Sequence, residues 1–162
     1  MLVETADSTK ARTRLNDEVL RSPVSDSLKI PEDAAMEAAR LRGDKFLLDP
    51  ADNGSPKGAF AWISAEPDWK EPKELFAVHI WGPSERHLDI LIDVCQWGVD
   101  NGLGDLPVTY QRSTHPMVRI ADQYASVTFS PDGKFSTTTL RSALKSLTAR
   151  RGEVARGVVT LR

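Results

Sequence analysis

Residues 74–102, ELFAVHIWGPSERHLDILIDVCQWGVDNG, decide how the rest of the chain is read. In an extended chain, Phe76, Val78 and Ile80 fall on one side and Leu75, Ala77, His79 and Trp81 on the other. Both sides are mostly apolar, the pattern of a strand covered on two faces. Gly82 and Pro83 interrupt it, and Ser84 with Glu85 offers an N-cap followed by a favourable acid. Leu88, Leu91, Ile92, Cys95 and Val99 then recur at helical spacing, with Ile90, Val94 and Trp97 widening the stripe. Asp100, Asn101 and Gly102 suit a left-handed helix stop. The spacing predicts a strand and then a helix over about 85–100.

Toward the C-terminus, residues 107–112 read as a strand, 113–116 as a loop and 117–120 as a further short strand. Residues 124–129 and 134–138 flank Ser130-Pro131-Asp132-Gly133, which suits a type I turn closed by a glycine bulge. An amphipathic helix is expected over about 139–151, with Leu140, Ala143, Leu144 and Leu147 inward and Gly152 as the stop. Residues 157–161 return as an edge strand.

Toward the N-terminus, residues 45–48 and 58–64 read as strands joined by a loop containing Asn53-Gly54. Pro67 and Pro72 make 66–73 a connection, whose Trp69 is expected to fold back as a local anchor. Pro31 and the acids after it start a helix over 31–41, with Gly43 beyond its end. Residues 1–30 form a polar N-terminal arm. The expected architecture is therefore α+β: a single domain over 31–162 with a mixed, mainly antiparallel sheet. The central helix and a C-terminal helix pack it.

With 162 residues, 40% of them hydrophobic and 27% charged, the chain is long enough for one real core and too apolar for wholesale disorder. No apolar run reaches the ~18 residues of a spanning helix, and the N-terminus lacks a secretory pattern, so no membrane role is expected. The single cysteine, Cys95, excludes an internal disulfide framework. A cytoplasmic protein, or one assembled from the cytoplasm such as a virion component, is expected.

The net charge of −2 conceals segregation. Residues 1–30 are neutral, 31–110 carry −8 and 111–162 carry +6. The basic end holds Arg141, Lys145, Arg150, Arg151 and Arg156, the residues expected to meet a partner. That partner is a protein, including another copy of the chain. Nucleic acid is the alternative, since such a helix could track phosphates. Against it stand the acidic balance of the chain, at pI ≈ 5.9, and the absence of aromatic interleaving.

Catalytic signatures are lacking. His79, His87 and His115 have no metal-binding spacing, and Cys95 sits in an apolar stripe where a thiol behaves as core. There is no nucleophile elbow and no phosphate loop. Asp89 and Asp93 lie one helical turn apart on a polar face, as ordinary surface acids do. No cofactor or metal is expected. The expected function is non-enzymatic binding or assembly. A third alternative is a small enzyme or ligand-binding protein with a pocket near Trp81 and His87, where His79 and His87 would meet.

Overall fold

In the computed structural model, residues 1–5, 39, 41–52 and 58–157 are described. Besides the helical residues Ala39, Leu41 and Arg42, they contain seven strands and three α-helices, so the chain is α+β with mainly antiparallel strands, as expected. The chain divides into two compact units, Met1–Pro83 and Ser84–Arg162.

The first unit is an antiparallel meander in the order β1 (Val3–Thr5), β2 (Lys45–Leu48), β3 (Phe60–Glu66) and β4 (Glu74–Trp81). Strand β1 falls within the stretch read as an arm, pairing Val3 with Leu48 and Thr5 with Phe46. Its side chains gave no alternation long enough to mark three residues as a strand. Trp62 faces His79 while Ile63 faces Ala77, so Val78 is an extra residue in β4. Phe46, Leu48, Phe60, Trp62 and Trp81 form the core, with the Phe46 and Trp62 ring centroids 5.6 Å apart.

Ala39, Leu41 and Arg42 are helical and stop at Gly43, whose φ is +80°. The Asp44 amide reaches back to the Ala39 carbonyl at 3.0 Å, the bond of a Schellman stop. The rest of the helix expected from residue 31, the arm beyond Thr5 and the Asn53-Gly54 turn lie outside the described residues. Trp69 does fold back. Its ring lies beside Gly43, and the Lys45 ammonium sits 5.4 Å from its centroid.

The second unit contains α1 (His87–Asp100), β5 (Pro107–Gln111), α2 (Pro116–Tyr124), β6 (Thr128–Phe129), β7 (Phe135–Thr139) and α3 (Leu140–Ala155). Strand β7 pairs antiparallel with β5 on one side and β6 on the other. Helix α1 buries Leu88, Ile90, Leu91, Ile92, Val94, Cys95 and Trp97, the widened stripe expected for it except Val99, which is half-buried. Each such side chain contributes about 1.5–3 kcal/mol by leaving water. Its stop is the expected one: Gly102 has φ +74°, and the amides of Gly102 and Leu103 bond to Val99 and Gly98 at 3.2 and 2.8 Å. Its start differs. Ser84–Arg86 make a 3₁₀ turn, and Arg86 occupies the N-cap without a side-chain bond, so Ser84 is not the cap.

Three further expectations are corrected here. Residues 117–120 belong to α2 and not to a strand, because Pro116 starts it and Met117, Ile120 and Ala121 bury at helical spacing. That helix takes Tyr124, which leaves β6 only two residues. Helix α3 runs through Gly152 to Ala155 and stops before Gly157 at φ +72°. One glycine in a helix costs about 1 kcal/mol, too little to end it alone. The hairpin turn is as expected, with Gly133 at φ +71° and its amide 2.9 Å from the Ser130 carbonyl. The edge strand expected over 157–161 falls almost wholly outside the described residues.

Candidate functional site

Helix α3 carries Arg141, Lys145, Arg150 and Arg151, and the fifth basic residue, Arg156, is its C-cap. Thr139 caps it, its hydroxyl accepting from the Ser142 amide at 3.1 Å. Leu140, Ala143 and Leu147 form the buried face. The close approach of α1 and α3 is set by Gly98, where any Cβ would run into the Leu140 side chain.

At ~100° per residue, Arg141, Lys145 and Arg156 fall within about 60° of one another, opposite the buried face. All three are exposed. Arg150 does not join them. It lies on the core side of the helix, its side chain 15% exposed. Its guanidinium stacks 4.2 Å from the Tyr124 ring centroid and donates to the Tyr124 hydroxyl at 3.0 Å. Arg151 lies on the flank. The helix therefore separates the five into an outward stripe, a flank residue and a packed residue.

One acid stands beside the stripe and another beside the flank residue. Arg141 Nε is 2.8 Å from Asp105, and Arg151 Nη1 is 3.3 Å from Asp89. These pairs are open to water and contribute little to stability. Their effect is on the character of the face, which is mixed in sign.

The histidines are distributed as follows. His79 is buried in β4 of the first unit, its ring centroid 6.0 Å from that of Trp62. His87 opens α1 in the second unit and is 4% exposed. The ring centroids of His87 and His115 are 5.8 Å apart, a juxtaposition that sequence spacing does not reveal. His115 is the N-cap of α2, its Nδ1 accepting from the Met117 amide at 3.2 Å. Burial, and then the neighbouring His87, lowers its pKa to about 4. Among the described residues, no three His, Cys, Asp or Glu side chains group as metal ligands would. Burial pushes the Cys95 thiol up to about 12, so it stays protonated in its core position.

Asp122 on α2 was not singled out by sequence, since a lone acid in an amphipathic stretch carries no signal. It accepts from the Tyr110 and Ser136 hydroxyls at 2.7 and 2.6 Å and from Arg112 Nε at 3.1 Å. Burial and the Asp122 carboxylate hold the Tyr110 phenol far above its usual range. A phenol so placed does not shuttle protons near neutrality; the cluster joins α2 to the β5–β7 pair.

Among the described residues, no helix is long and apolar enough to cross a membrane. No protein-family model, no curated protein and no solved structure matches the chain.

Proposed function

We propose that this chain is a non-enzymatic binding protein that engages other protein surfaces through the outer face of α3. A further copy of the same chain is the partner most simply tested. The observation that carries the reading is the stripe Arg141, Lys145 and Arg156, exposed on one line along α3 and its C-cap. The acidic balance of residues 31–110 provides charge complementarity for such a contact.

The nucleic-acid alternative is disfavoured by Asp105, which pairs with Arg141 at the stripe and would meet a phosphate backbone with like charge. A mixed-sign face suits another protein better, because opposite charges on the partner find both signs. The test is the light-scattering mass of the full chain beside that of the double variant Arg141→Glu, Lys145→Glu. A mass above the 17.9 kDa of one chain, restored to one chain by the double variant, is expected. A wild-type mass of one chain at every concentration, with steeply salt-dependent binding to duplex DNA, contradicts it.

A further inference from the structure

Beside the basic stripe, where α3 faces the end of α2, the second unit has an open hollow of about 310 Å³. That is the lower end of the volumes that hold small ligands. One wall is the end of α2, with Gln123, Tyr124 and Ser126; the other is α3, with Ser146, Arg150 and Glu153.

Ser126 has φ +56°, the left-handed position that follows a helix and ordinarily belongs to glycine. Its backbone is held there by Thr138, whose hydroxyl donates to the Ala125 and Ser126 carbonyls at 2.9 and 3.2 Å. A serine in this strained position places a hydroxyl in the wall of the hollow, where it hydrogen-bonds to Ser146 on the facing helix. Strain of this kind, beside a cavity, points toward a ligand.

The lining chemistry narrows the ligand. Three hydroxyls and an amide surround one guanidinium and one carboxylate, so the charged groups cancel. Arg150 Nη1 and Glu153 are 3.5 Å apart, a long separation for a hydrogen-bonded ion pair, and the Glu153 side chain is 41% exposed. An anion entering alone would meet Glu153, and a cation alone would meet Arg150. A molecule carrying both signs a few ångströms apart would find an opposite charge at each end, with the hydroxyls of Ser126, Ser146 and Tyr124 around its oxygens.

We propose that the hollow between the end of α2 and α3 binds a small zwitterion bearing a carboxylate and an ammonium group, the class that includes α-amino acids. The site is separate from the outward stripe and does not depend on it.

The experiment is an amide-shift titration of the isotope-labelled full chain by nuclear magnetic resonance. Glycine is the probe, with acetate and methylammonium as single-charge arms. Glycine is expected to shift amides within 123–126 and 146–153 and to saturate by about 10 mM, as a site of about 1 mM affinity does. Acetate and methylammonium are expected to bind at least about tenfold more weakly. Ser126→Gly keeps the turn and removes the hydroxyl; it is expected to weaken glycine about threefold or more. Glu153→Gln is expected to bring glycine down to the level of acetate. No saturable glycine shift, shifts confined to other residues, or acetate binding as well as glycine would each overturn the proposal.

Discussion

At the residue scale, His115 shows how position gives a common side chain a particular duty. As the N-cap of α2 it must present a lone pair at Nδ1 to the Met117 amide, which only the neutral imidazole with its proton on Nε2 can do. Its pKa falls from 6.5 to about 4 through burial and then the neighbouring His87. Because the folded value lies below the unfolded one, the unfolded chain binds a proton first as pH drops. Stability from this group is therefore complete above about pH 6.5, declines from there to about pH 4 and changes no further below. His115→Asn keeps a capping side chain without a titrating one. It is expected to flatten the loss of thermal stability between pH 6.5 and 4 relative to the parent chain; equal slopes for the two would contradict this role. In sequence His115 was visible only as a loop residue before a proline. Its helix lacked the length that makes an amphipathic pattern recognisable, and its partner His87 is 28 residues earlier.

At the element scale, α1 was legible almost completely, because a wide apolar stripe and the Asn101-Gly102 stop agree with each other. The start was less so, since a serine followed by an acid also fits the 3₁₀ turn that the chain adopts. Helix α3 was legible in its buried face but not in its length, as Gly152 resembles a stop and is none. What sequence could not show is that Gly98 lets α1 and α3 approach. By propensity alone, Gly98→Ala would stabilise a helix by roughly 1 kcal/mol. The new methyl group, however, collides with Leu140, which is 5% exposed and has little room to move. Overpacking of this kind costs about 1–3 kcal/mol, so net destabilisation in urea unfolding is expected. Leu140→Ala in the same chain should relieve the added strain, giving a non-additive pair. A Gly98→Ala chain as stable as its parent would show that the helices can separate freely.

At the scale of the whole molecule, the uneven charge was the clearest functional signal in the sequence, and the helix geometry refines it. Five basic residues read together as one patch fall into three settings: an outward stripe, a flank residue beside Asp89, and Arg150 packed on Tyr124. A linear count cannot make that separation without knowing which side of the helix faces the core and that Tyr124 closes α2. On this division Arg150 holds the second unit together, while Arg141, Lys145 and Arg156 have no part in that packing. The most direct measurement is the thermal midpoint of Arg150→Ala beside that of the triple variant Arg141→Ala, Lys145→Ala, Arg156→Ala. Loss of the stacked, hydrogen-bonded guanidinium is expected to cost about 2 kcal/mol, lowering the midpoint by about 4–8 °C. The triple variant should stay within about 2 °C of the parent, since exposed charges contribute little. A chain that tolerates Arg150→Ala but unfolds early without the three outward residues would contradict the division between packing and binding.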